Sequence, residues 1–111
     1  MFVLTHHNTF SLRSSLEKDK LNGSNFLEWY RNLRIVLRQE DKDYVLTRVL
    51  PERPRSNASI TDKNAWDKHS SDVNEVCCLM LATMSPELQM QYGSVLSPIE
   101  MMTNLKALFQ E

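Results

Sequence analysis

At 111 residues the chain has room for one domain with one core and is too short for two. Hydrophobic content of 41% and charged content of 24% are ordinary for a folded protein and exclude global disorder, while a net charge of -1 argues against a general polyanion binder. The halves differ in sign: residues 1–60 hold ten Lys/Arg against seven Asp/Glu, and residues 61–111 hold three against seven, a split that can favour head-to-tail contacts between copies. With only two Gly and four Pro, the balance favours helices over a turn-rich β domain. No apolar run approaches a membrane span, and Met-Phe-Val-Leu is too short for a signal-peptide core, so a soluble, cytoplasmic protein is expected.

Residues 1–15 show no clear period and read as a loose N-terminal arm, although Phe10, Leu12 and Leu16 can pack it against the domain. The alternating run Glu17-Lys18-Asp19-Lys20 reads as solvated irregular chain. Asn22-Gly23 is a turn pair, since Gly tolerates positive φ and Asn bonds its own backbone. Asn25 is then the expected N-cap, with Glu28 placed to reach back in a capping box. Phe26, Trp29, Tyr30, Leu33, Val36 and Leu37 follow at three- and four-residue steps and define one buried face of an α-helix. Arg31, Arg34 and Arg38 form a stripe on the other side. A solvated face is the stronger reading of that stripe; a contact strip for RNA phosphates or an acidic partner is the sharper one.

The cluster Glu40-Asp41-Lys42-Asp43 breaks the pattern. A shorter helix fits Lys42 to Leu50, with Tyr44, Val45 and Val49 inward and Pro51 as its stop. Residues 51–60 are the evident loop. Thr61 or Asp62 can cap the longest helix, which runs to about Thr83 with Ala65, Trp66, Val73, Val76, Cys77, Met80 and Met84 on its apolar side and a mostly acidic outer face of Asp62, Lys63, Asp67, Asp72 and Glu75. Ser85-Pro86-Glu87 caps a short helix carrying Leu88, Gln91 and Tyr92 and closed by Gly93. Ser97-Pro98-Ile99-Glu100 is a capping box for a last helix, whose apolar side is Ile99, Met102, Leu105, Ala107, Leu108 and Phe109. A helix still apolar at the end of the sequence points to a domain cut short at its C-terminus, or to a partner over Leu108 and Phe109.

Enzyme constellations are not written here. Gly23 and Gly93 belong to no phosphate loop, and there is no nucleophile elbow. His69 with Cys77 or Cys78 lacks a fourth ligand at a known zinc spacing, so no metal and no cofactor is expected. Cys77 and Cys78 read as buried structural cysteines, His69 as a surface histidine, and Trp29 and Trp66 as core residues rather than platforms for bases.

The segment from Leu16 to Pro54 resembles the N-terminal part of the Gag polyprotein of plant copia-type LTR retrotransposons. The residues that carry the likeness are Leu16 through Phe26 (LEKDKLNGSNF), then Trp29, Arg31-Asn32-Leu33-Arg34-Ile35, Tyr44-Val45-Leu46 and the proline-rich exit. Trp66, Met84 to Leu88 and Ser97 to Phe109 match later parts of the same pattern, so the likeness covers nearly the whole chain after Phe10. The resemblance implies a family motif of Leu21, Asn22, Gly23, Asn25, Phe26, Trp29, Leu33 and Trp66. It implies an all-α fold over residues 16–111: a small orthogonal bundle of about five helices, like the N-terminal lobe of a capsid. It also implies a non-catalytic structural protein of a transposable element that self-associates as a homo-oligomer around the element's RNA. Family members continue into a second lobe and commonly a zinc knuckle that binds RNA. The sequence contains neither, so RNA binding is expected to be weak and to fall to Arg31, Arg34 and Arg38.

Overall fold

A computed structural model describes residues 12–110, which form an all-α bundle. Residues 12–18 are helical (α1), and α2 (Phe26–Gln39), α3 (Ile60–Ala82), α4 (Pro86–Tyr92) and α5 (Pro98–Phe109) follow, with one 3-10 turn, η1 (Asp43–Leu46), between α2 and α3. The α-helices number five, as expected, but the set differs. Residues 12–15 lie in α1 rather than in a loose arm, and the expected helix over Lys42–Leu50 is the single 3-10 turn. The expectation for residues 1–11 falls outside the described residues.

Helix α1 joins the core through Leu16, which is fully buried, and Arg13 pairs with Glu40 at the far end of α2. Gly23 takes a left-handed φ of 98°, and Asn22 Oδ1 accepts from the Ser24 amide at 3.1 Å, so the reversal is built as the turn pair predicts. Asn25 stands at the N-cap of α2 without capping it. Its Oδ1 accepts from the Asn22 amide, and its Nδ2 donates to the carbonyls of Asp19 and Lys20 at 3.3 and 3.1 Å. The side chain ties the incoming loop together, which leaves it unable to serve the first turn.

Phe26, Trp29, Leu33, Val36 and Leu37 are buried on α2, with Tyr30 half-buried at the edge. Leaving α2, Asp41 adopts a φ of 59° and the Lys42 amide returns to the Leu37 carbonyl at 2.8 Å, a left-handed exit that ends the helix. In η1 the Tyr44 carbonyl accepts from the Thr47 and Arg48 amides, and Val45 is buried among α2, α3 and α5. The chain then leaves helical geometry five residues before Pro51, so the proline is not the stop. Val49 turns outward at 73% exposure instead of inward.

Ser59, not Thr61 or Asp62, caps α3: its Oγ accepts from the Asp62 amide at 3.1 Å, which brings Ile60 into the helix. The buried stripe of α3 is His69, Asp72, Val76, Cys77 and Met80. None of residues 60–68 is buried, so the first two turns project beyond the core, and Ala65 is exposed. Ser85 caps α4 by accepting from the Leu88 amide at 3.4 Å, and Ser97 caps α5 by accepting from the Glu100 amide at 3.2 Å. Both prolines sit where a missing amide costs no helical hydrogen bond. Gly93 ends α4 with an ordinary right-handed φ of -60°; a Cβ there would lie 2.9 Å from the Gln89 carbonyl oxygen, so close approach rather than handedness favours glycine. Helix α5 buries Pro98, Met101, Met102 and Leu105, whereas Ala107 is exposed and Leu108 is 48% exposed.

Candidate interaction surfaces

The Leu-Asn-Gly motif works as a structural clamp. The Leu21 amide donates to the Thr83 carbonyl and the Ser85 amide donates to the Leu21 carbonyl, both at 2.9 Å, so one extended residue bridges the α3–α4 corner next to Met84. Trp29 Nε1 donates to Thr83 Oγ1 at 3.0 Å inside the core. Phe26 stacks on Tyr30 at 5.7 Å and meets Phe109 at 5.9 Å, and a Cβ on Gly23 would lie 3.2 Å from the Phe109 ring. Leu21, Gly23, Phe26 and Trp29 therefore hold the entry of α2 against the α3–α4 corner and the end of α5, Asn22 and Asn25 shape the loop that leads in, and Leu33 is buried further along α2. Thr83, absent from the sequence-based set, is the polar centre of that clamp. A threonine between two apolar methionine-rich stretches gives little sign of it in sequence.

Trp66 lies elsewhere. It is half-buried rather than in the core, donates from Nε1 to the Pro51 carbonyl at 2.8 Å, and carries the Arg53 guanidinium 5.1 Å above its ring. Lys63 Nζ donates to the Ser56 carbonyl at 2.6 Å, so the loop of residues 51–58 is strapped along the projecting half of α3. Between strap and helix runs a cleft of about 750 Å³, walled by Tyr44, Pro51, Pro54 and Trp66, with Arg48, Lys68 and His69 at its η1 end.

Two residues expected at the surface are buried near that end: His69, which lines the cleft, and Asp72, which lies behind Tyr44 and Lys68. His69 is only 9% exposed, its ring tilts against Tyr44 at 5.1 Å, and its buried Nε2 has no hydrogen-bond partner among the described residues. Asp72 is 5% exposed; it accepts from the Tyr44 hydroxyl and lies 2.7 Å from Lys68 Nζ. Burial alone would raise the Asp72 carboxyl, but the hydrogen bonds from Lys68 and Tyr44, with the charges of Lys68 and Lys42, hold it below the ordinary carboxylate value. Burial and the bond to Asp72 push the Tyr44 phenol up to about 12. A phenol that stays protonated and a carboxylate already serving two donors form a fixed polar lock between η1 and α3.

The stripe expected from spacing is formed: Arg31, Arg34 and Arg38 are exposed along α2 and line one shallow depression with Tyr30, Ile35 and Asp43. None of the three makes an ion pair with a described carboxylate. Tyr30 is flanked by two cations, Arg34 at 5.4 Å and Lys106 of α5 at 4.9 Å from the ring centre.

No family model, curated protein or solved structure matches the chain. Its surfaces must be read from their own chemistry.

Cys77 is buried, which pushes its thiol up to about 11, while Cys78 is exposed, so only one of the two expected buried cysteines is. Among the described residues no three His, Cys, Asp or Glu side chains gather in a metal-sized cluster, and no helix is long and apolar enough to cross a membrane. A second groove, about 290 Å³, opens between η1 with the segment that leaves it (Val45, Arg48, Val49, Leu50) and the chain entering α5 with its first turn (Leu96 to Glu100), over Val73 of α3.

Proposed function

We propose that this chain is a Gag-like structural domain of a plant copia-type retrotransposon that works in the cytoplasm by self-association of a capsid-type lobe, without catalysis. The observation that carries the reading is a set of large apolar side chains left outside a closed core: Leu27, Val49, Ile60, Met90 and Leu96 are each between 64% and 87% exposed. Single exposed aliphatics are common, but Val49 and Leu96 line one groove together, which supports a contact surface there. The residues behind the Gag resemblance support the same reading, because Leu21, Gly23, Phe26 and Trp29 meet Thr83, Met84 and Phe109 in a single clamp. That is the behaviour of fold-defining positions.

Molar mass by light scattering after gel filtration, over a concentration series with RNA removed, tests the proposal. Mass should rise with concentration. A folded monomer at every concentration would refute it.

A second reading has its own observation. Arg31, Arg34 and Arg38 are exposed without described carboxylate partners, with Lys106 close by across the Tyr30 ring, which supplies the cations that a domesticated or remnant Gag domain serving as an RNA-binding or host-protein adaptor would need. Fluorescence anisotropy with a single-stranded RNA should then show affinity that falls steeply with salt and is lost in the variant carrying Arg31→Gln, Arg34→Gln and Arg38→Gln. Absence of binding at low salt would end this reading.

A further inference from the structure

The groove beside η1 has two walls that complement each other. One wall, the segment leaving η1, presents Arg48, Val49 and Leu50; the other, the end of the α4–α5 connection with the first turn of α5, presents Leu96, Ile99 and Glu100. Each wall carries one strongly exposed aliphatic side chain, Val49 at 73% and Leu96 at 81%. Each also carries one charge, of opposite sign; neither Arg48 nor Glu100 forms an ion pair with a described residue, and the Arg48 guanidinium lies 5.4 Å from the centre of the Tyr44 ring, a contact that leaves its charge unneutralised. A cation and an apolar knob on one side and an anion and an apolar knob on the other make a self-complementary surface, which is what a two-fold interface requires.

We infer that this groove is the contact between two copies of the chain, related by a two-fold axis, with Val49 of each copy against Leu96 of its partner copy and Arg48 of each paired with Glu100 of the other. The inference rests on the self-association reading and names the surface that performs it. The charge arrangement selects the occupant. The pairs form twice in an isologous contact, and a like-facing arrangement would set Arg48 against Arg48. Val45 and Val73 beneath the groove belong to or pack on the core, so the two walls are held by the fold rather than by flexible tips.

Charge-swap variants decide it, measured by sedimentation equilibrium with circular dichroism to confirm folding. Arg48→Glu and Glu100→Arg should each weaken dimerisation at least tenfold, by leaving like charges opposed. The double variant Arg48→Glu/Glu100→Arg should return within about threefold of the original. Leu96→Asp, at a position too exposed to matter for folding, should abolish the dimer. A photo-crosslinker at position 96 in a mixture of light and heavy-isotope chains should join peptides containing residues 45–50 between copies. If the unmodified chain is a monomer throughout, both the self-association reading and this inference fail. If it associates but the charge variants are indifferent, or the crosslink leads to residues 1–11 of the same chain or to a different protein, self-association stands and the groove assignment is overturned.

Discussion

Replacing Thr83 by valine isolates one hydrogen bond at the centre of the clamp. The two side chains have nearly the same shape, so packing around the fully buried position is kept and only the hydroxyl goes. Thr83 Oγ1 has three partners: it accepts from Trp29 Nε1 at 3.0 Å and lies 2.9 and 3.0 Å from the Leu79 and Met80 carbonyls. Those carbonyls also accept from the Thr83 backbone amide, so they stay satisfied. The indole N–H does not, because Trp29 is 1% exposed and water has no access. A buried donor stripped of its acceptor costs about 1–3 kcal/mol, and at this chain length each kcal/mol lowers Tm by roughly 3–6 °C. Thr83→Ser keeps the acceptor and loses one methyl, at about 1 kcal/mol. Urea unfolding followed by circular dichroism should therefore rank the original chain first, Thr83→Ser next and Thr83→Val last, with unchanged m-values. If the valine variant were as stable as the serine variant, the indole would not depend on Thr83 and the clamp argument would fall.

Three other outcomes follow from the same geometry. Gly23→Ala forces a side chain into a φ of 98° with its Cβ 3.2 Å from the Phe109 ring, and should cost about 1–2 kcal/mol in the same denaturation assay. Trp29→Ala should cost about 3–5 kcal/mol or prevent folding, whereas Trp66→Ala, at a half-buried site outside the core, should cost under half as much; equal losses in thermal melts would show Trp66 to be a core residue after all. Stability should depend on pH at both extremes through the Tyr44–Asp72 lock. Because the folded-state value of Asp72 is depressed, its contribution is present above the unfolded carboxylate value near pH ~4 and is lost as pH falls through the folded one. Because the Tyr44 phenol is raised to about 12, its contribution is present below pH ~10 and is lost as pH rises from there towards the folded value. Asp72→Asn should flatten the acid limb of a stability–pH profile, and Tyr44→Phe should flatten the alkaline limb; unchanged profiles in both would contradict the lock.

Much of the bundle is legible in sequence because local rules decide it. The periodicity of α2 names the residues that are buried, the Ser-Pro starts of α4 and α5 appear where the caps are written, and Asn22-Gly23 makes its turn, since each depends on backbone geometry and neighbours within one helical turn. Asn25 shows where local reasoning stops. Its side chain can serve either the helix or the loop, and the choice is settled by the carbonyls that the docked chain at Asp19 and Lys20 brings within reach. Trp66, His69 and Asp72 show a second limit. Periodicity gives a side chain's direction around a helix axis, not how far along the axis the core extends. Trp66 therefore faces the right way yet stands beyond the packed region, while the polar His69 and Asp72, on the same stripe nearer the centre, are buried under Tyr44. Val49 reverses the case, an aliphatic residue that η1 leaves outside because the turn closes at Thr47. Of the interaction surfaces, the Arg31, Arg34 and Arg38 stripe is legible from helical spacing, whereas the two grooves belong to this second class. The sequence by itself determined that the chain is helical and which α2 face is buried. Only the tertiary structure decided that Arg48 and Glu100, 52 positions apart, line one groove, because that juxtaposition depends on η1 packing against α5.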